Sequence, residues 1–153
     1  MDLTWHALAP SSLTARQMHD LIRLRHEVFV REQDCPDYDD LDGLDIAEET
    51  VHVLGLDGDE LAAYARVQPP GQTGPDARIG RVVVAPAARG GGLGAELVRR
   101  AVAVCERSWP DAAIGMAAQA HLVEMYAAAG FRPAGQPYLD DGIPHVDMVR
   151  TPG

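Results

Sequence analysis

The chain reads as an α/β protein with one mixed central sheet of about six or seven strands flanked by helices. Three observations carry that reading. Val82-Val83-Val84 is a β-branched run closed by Ala85-Pro86, and after a glycine loop Leu93, Leu97, Val98, Ala101, Val102 and Cys105 recur at helical spacing. Residues 51–57 and 61–67 are strand candidates joined through Asp57-Gly58, a dipeptide suited to a tight hairpin. Thr14 and Gln17 form a capping-box pattern that opens a helix with Met18, Leu21, Ile22, Arg25, Val28 and Phe29 along one face.

The remaining elements follow in chain order. Residues 3–8 form a first strand, and Ser11-Ser12 breaks the chain before the capped helix. From Cys35-Pro36 to Glu49 there is little periodicity, which predicts a long loop holding a short turn; loops of that length are usually functional. A Pro/Gly-rich connection over 69–76 leads into the strand 78–85. After the long helix, Trp109-Pro110 is a break, 114–118 a short strand and 121–129 a helix stopped by Gly130. Asp140-Asp141-Gly142-Ile143-Pro144 is a turn, and 146–150 closes the sheet. No repeat or linker interrupts the 153 residues, so a single domain over 1–153 is expected.

Composition narrows the function classes. Net charge is −10 and all thirteen basic residues are arginine, a balance that argues against nucleic acid or an anionic membrane as a bulk partner. No apolar run reaches the roughly eighteen residues of a membrane span, and the first residues lack a basic region followed by an apolar one. A cytoplasmic protein is expected. Cys35 and Cys105 are far apart without metal or redox spacing, and Cys105 falls on the apolar helix face as a core residue. Acids crowd between Glu32 and Glu49, among them Asp40, Asp42 and Asp45, with no Lys or Arg. They form either a solvated loop or a negative funnel for a cationic amine.

The strand–glycine loop–helix unit carries chemistry. A helix start behind a bare backbone points unpaired N–H groups and a positive dipole end at one spot, which suits phosphate. Arg89 adds a guanidinium at the loop entrance. The chain has no lysine and no G-x-x-x-x-G-K-[ST], which excludes a nucleoside-triphosphatase loop, and Leu97 occupies the last position of a would-be G-x-G-x-x-G. What stands there is R-x-x-G-x-G: Arg89-Gly90-Gly91-Gly92-Leu93-Gly94. Its bland alternative is a turn that only joins strand to helix.

This loop resembles the acyl-CoA pyrophosphate loop of the GCN5-related N-acetyltransferases. A second signature, Ala118-Gln119 followed by Tyr126-x-x-x-Gly130-Phe131, stands where that family places a cofactor-contacting polar residue seven positions before a tyrosine; Gln119 replaces the commoner Asn. Leu24-Arg25-x-x-Val28-Phe29-x-x-Glu32-Gln33, Asp42-Gly43-x-Asp45, His52, Gly80-Arg81-Val82, Ala118-Gln119-Ala120-His121 and Asp141-Gly142-Ile143-Pro144-His145 together look like its ElaA-like branch. The L-R-x-x-V-F-x-x-E portion is shared with acyl-homoserine-lactone synthases.

The resemblance implies a splayed strand pair for acetyl-CoA, released as CoA. Val82, Val83 and Val84 would pair with the pantetheine arm. The amides of Arg89, Gly90, Gly91, Gly92, Leu93 and Gly94 would hold the diphosphate, with Ala95 at the helix start and Gln119 on the cofactor. An N–H near Val83 or Val84 would polarise the thioester carbonyl. Tyr126 would be the general acid for the departing thiolate, its alternative being a residue that packs on the sheet.

An amine must arrive neutral, so a base is needed. Glu32 and His52 are put forward, with His121 and His145 behind them. Each has a structural alternative: Glu32 in an ion pair with Arg25 or Arg81, His52 as a satisfied strand residue, His145 as a cap on the Asp-Gly turn. The reading is an N-acetyltransferase acting on a small-molecule or peptide amine, with room for a homodimer. A carrier-dependent acyl synthase and a non-catalytic acyl-CoA sensor are the alternatives.

Overall fold

The structure is a computed structural model and describes residues 2–153. In chain order the elements are β1 (Thr4–Leu8), α1 (Ala15–Arg25), β2 (Val51–Asp57), β3 (Glu60–Gln68), β4 (Ala77–Val84), α2 (Leu93–Ser108), β5 (Ile114–Gln119), α3 (Val123–Ala128), β6 (Arg132–Pro133), β7 (Tyr138–Asp140) and β8 (Ile143–Arg150). They form one eight-stranded sheet in the order β1-β2-β3-β4-β5-β8-β6, with β7 on another stretch of β8. The count exceeds the expected six or seven because β6 and β7 are too short to show alternation. Their strand character comes from pairing with β8, at Met148 and Val149 for β6 and at Ile143 to His145 for β7. The expected helix 121–129 divides into a tight turn over Ala120–Leu122 and then α3. Among the described residues no helix is long and apolar enough to cross a membrane.

Alternation along the strands sorts the core to two faces. Ala65, Ile79, Met116 and Ala118 pack with α2 residues Leu97, Val98 and Ala101, while Leu54, Tyr64 and Val83 pack with α1 residues Leu21 and Leu24. The α1 capping box forms as read: Gln17 N–H donates to Thr14 Oγ1 at 3.0 Å and Thr14 N–H to Gln17 Oε1 at 2.9 Å. Past Arg25 the helix widens into a π-type segment over His26–Glu32. An extra residue per turn rotates later side chains by about 100° relative to a regular helix. The segment's last residue, Glu32, and Gln33 after it consequently border the central cleft.

The sheet parts in its middle. β4 pairs with β5 in parallel only at Ala77↔Ile114 and Arg78↔Gly115. On its other side β4 carries one residue too many: Tyr64 pairs with Val83 but Arg66 with Gly80, leaving Arg81-Val82 opposite Ala65 alone. Such a bulge bends its strand. Arg81 sits at φ +51°, a left-handed conformation that costs a non-glycine residue about 1–2 kcal/mol.

Ion pairs hold that conformation. Arg81 Nε donates to Asp40 Oδ1 at 2.9 Å and Nη2 to the Asp40 carbonyl at 3.0 Å. Asp40 also accepts from Arg25 Nε at 2.8 Å. The fully buried Arg25 reaches Asp45 Oδ1 at 2.7 Å, the same oxygen that Arg66 Nη1 meets at 3.0 Å, while Arg66 Nη2 bonds Asp42 at 2.7 Å. Three arginines from α1, β3 and β4 thus pin the loop that carries Asp40, Asp42 and Asp45. Burial alone would raise the Asp42 carboxyl; the Arg66 and Leu44 hydrogen bonds and the nearby arginines bring it to about 2. Burial opposes Asp45 ionisation too, and Arg25 and Arg66 outweigh it and lower its pKa.

His52 completes the cluster. Its Nε2 lies 2.8 Å from the Asp45 carbonyl, which can only accept, so Nε2 carries the proton and Nδ1 accepts from the Tyr64 hydroxyl at 2.7 Å. Burial pushes this imidazole below its ordinary value.

Two outcomes follow for stability. Asp45→Ala leaves two buried guanidiniums short of a partner and lowers unfolding free energy by about 3–5 kcal/mol in urea titrations. Because the folded imidazole binds its proton less readily than the unfolded one, whose value is 6.5, stability is full above that pH. It is lost on acidification from there, by up to about 1.4 kcal/mol per pH unit for one proton, and more steeply where the aspartates titrate. A denaturation series from pH 7 to pH 5 shows this slope, and His52→Gln flattens it.

Candidate functional site

A tight turn over Pro86–Ala88 ends β4, and the glycine loop delivers the chain into α2. Gly90 at φ +94° and Gly92 at φ +77° adopt a backbone that other residues rarely take. Gly94 stands against Met125 instead: a Cβ there would lie 3.3 Å from Met125 Sδ, and that side chain would have to shift by a few tenths of an ångström. No side chain caps α2 at Gly92, and the first bond into the helix is Glu96 N–H to the Gly92 carbonyl at 3.2 Å. The preceding N–H groups, of Leu93, Gly94 and Ala95, open at the helix mouth.

Above that mouth the parted strands enclose a cleft of about 510 Å³, within the usual range for a small-molecule site. Val82, Val83 and Val84 form one wall, with Met116, Ala117 and Gln119 facing them and Leu122, Met125 and Tyr126 below. Ala85 N–H bonds back to Ala62 on β3 at 2.8 Å. Successive residues of a strand alternate in direction, so the Val84 N–H points away from β3 into the gap. Its carbonyl, on the same side, accepts from Arg89 Nε at 3.2 Å.

Tyr126 lines the cleft while 4% exposed, edge-on to Phe131. Burial pushes its phenol up to about 12, so the hydroxyl keeps its proton at neutral pH. Gln119 Nε2 donates across the cleft to Gln33 Oε1 at 3.2 Å. His121 and His145 are both on the wall, and His145 Nδ1 donates to the Ile143 carbonyl at 2.7 Å.

Most of the expected cofactor residues come together here: Val82, Val83, Val84, Arg89, Gly90, Gly92, Leu93, Gly94 and Gln119 border the cleft. Gly91 and Ala95 are outside its lining; Ala95 keeps a place at the helix mouth through its N–H alone. The expected base His52 is corrected by the structure. It is fully buried, off the cleft, and has both ring nitrogens bonded within the core, so it meets no substrate. Glu32 is on the cleft wall, but its carboxylate accepts from Arg89 Nη1 at 2.8 Å rather than from Arg25 or Arg81.

Within the acidic stretch Asp40, Asp42 and Asp45 are not part of a funnel, since Arg25, Arg66 and Arg81 neutralise them, whereas Asp34, Asp37, Asp39, Glu48 and Glu49 stay exposed. Sequence reasoning missed the Cys35 thiol, which lines the cleft near Asp141, and the acids Asp140 and Asp141 on the far rim. The Asp-Asp-Gly turn before a closing strand and the Asp141-to-His145 motif were what pointed that way.

Comparison with known proteins agrees with this geometry. The family model described as an acetyltransferase (GNAT) domain matches residues 40–152. Protein ElaA of Escherichia coli is 41% identical over 148 residues, covering 97% of this chain and 96% of that protein, and its crystal structure superposes with a TM-score of 0.91. The crystal structure of an acyl-CoA N-acyltransferase from Pseudomonas aeruginosa superposes with a TM-score of 0.93 at 41% identity, over 98% of this chain and all of that one. A CoA-dependent acyl-homoserine lactone synthase shares the fold alone, at 18% identity and a TM-score of 0.74. A parted sheet over an uncapped glycine-loop helix, matched nearly end to end by these relatives, makes this chain an acyltransferase of the GCN5-related N-acetyltransferase family, on its ElaA-like branch.

Proposed function

We propose that this protein transfers an acetyl group from acetyl-CoA to a primary amine of a small molecule or peptide. The parting of β4 and β5 above the uncapped start of α2 is the observation that supports this reading most directly. It offers an extended backbone edge for an amide-containing arm beside N–H donors for a diphosphate. The residues fit such a group: the glycines leave the approach bare, and the Arg89 guanidinium is within the same cleft.

In this reading the diphosphate takes Arg89 over from Glu32 and the Val84 N–H polarises the thioester carbonyl. The amine nitrogen attacks that carbon directly, and the C–S bond breaks with its electron pair on sulfur. Tyr126, protonated at neutral pH and free of any hydrogen bond within the described residues, supplies the proton that makes the leaving group a thiol. Glu32 is held by Arg89 in the free protein and becomes available only when that pair opens.

A screen of primary amines for CoA release, run with acetyl-CoA and longer acyl-CoAs, tests the reading. Turnover with at least one amine, fastest with the acetyl donor, is expected; absence of CoA binding by calorimetry sinks it. Tyr126→Phe lowers kcat about 100-fold while CoA affinity stays within about two-fold. Binding of CoA with no turnover, and a Tyr126→Phe variant identical to the parent, makes the protein a sensor instead.

A further inference from the structure

The proton that the attacking nitrogen must lose has no acceptor in His52, and Glu32 can take it only once its pair with Arg89 has opened. His145 is differently placed. Its Nδ1–H is fixed on the Ile143 carbonyl at 2.7 Å, which leaves Nε2 as the ring edge that can take a proton. No protein group bonds that nitrogen among the described residues. The ring is stacked on Tyr138 at 5.9 Å between centroids and 19° between planes, and the Tyr138 hydroxyl donates to Asp147 Oδ1 at 2.6 Å. The imidazole is thereby oriented, half-buried and on the cleft wall.

Sheet alternation decides which side of the gap it serves. Ala118 and Val146 lie in the core cluster that contains Tyr126. Their strand neighbours Gln119 and His145, paired with each other across β5 and β8, therefore stand on the opposite face. Tyr126 approaches the parted strands from the helix side and His145 from the other.

We propose that His145 is the proton acceptor for the amine, a catalytic residue on the face opposite Tyr126, and that the acceptor enters from that face; this rests on the acyl-CoA reading of the cleft. As nitrogen bonds to the thioester carbon and sulfur leaves, the proton on nitrogen passes to His145 Nε2 and the Tyr126 proton to sulfur. Amine and thioester become amide and thiol, and a proton returns from His145 to Tyr126 through solvent to reset the site. The titratable and charged groups around His145 are Tyr138 on the ring, Asp147 behind it, Asp140 and Asp141 at the turn, the Cys35 thiol and Arg78, with Glu32, Tyr38, Arg66, Arg81 and His121 elsewhere on the cleft wall.

The test uses the full chain with the most active amine of the screen. His145→Asn retains a side-chain N–H for the Ile143 carbonyl but lacks the second ring nitrogen, and His145→Ala opens room for added imidazole. Both are expected to lose about 100-fold or more in kcat with CoA affinity and melting temperature unchanged, and imidazole restores part of the loss in His145→Ala with a pH dependence that follows free imidazole. A His145→Asn kcat within about three-fold of the parent overturns the proposal. So does a loss that imidazole leaves untouched. A parent protein that binds no CoA instead removes the reading on which it rests.

Discussion

A strand with one residue too many divides this sheet, and buried charge keeps that residue in place. Arg81 adopts a left-handed backbone that its own chemistry disfavours. It does so because its guanidinium is fastened to Asp40, and Asp40 is fastened to Arg25 at the end of the first helix. The bend separates β4 from β5 after two paired residues, so the edge of β4 beyond them is exposed to the gap. Remove the ion cluster and the bulge loses its anchor, and the cleft its shape. Stability and ligand geometry are thus written into the same six side chains: Arg25, Asp40, Asp42, Asp45, Arg66 and Arg81.

That cluster explains why bulk composition could not place every acid of this stretch. A net charge of −10 and a loop full of aspartates describe a negative surface only if the charges are solvated. Here three of those acids are internal counter-ions for arginines 15 to 41 residues away in sequence. Nothing in local spacing distinguishes a solvated aspartate from one facing a distant guanidinium. The arginines carried the clue, because Arg25 falls on an otherwise apolar helix face where an unpaired charge would be expensive.

What could be read from the chain was periodic or conformational. The capping box of α1, the glycine loop and the Asp57-Gly58 hairpin each rest on backbone demands that few residue types satisfy, and each formed where it was expected. Most of the expected cofactor residues border one cleft because they are nearly continuous in sequence. The expected base His52 does not join them, because protonation and exposure depend on partners from other elements. His52 looks like any histidine in a strand until Asp45 and Tyr64 close on both its nitrogens. The π-type widening after Arg25 was equally invisible: its apolar spacing is that of an ordinary helix, and it is this extra residue that sends Glu32 to the cleft.

The pairing of Arg89 with Glu32 has a bearing on selectivity among anions. A solute that is to sit on this guanidinium must displace a carboxylate already there, tethered and half-exposed. Chloride or a single phosphate exchanges one contact for another and gains little. A diphosphate bound as proposed would span both the arginine and the open amides beneath it, so it would recover more than it disrupts. On the acyl-CoA reading the tethered acid would act as a filter: abundant simple ions would pass the site by, and only a bridging, multiply charged group would hold both halves of it at once.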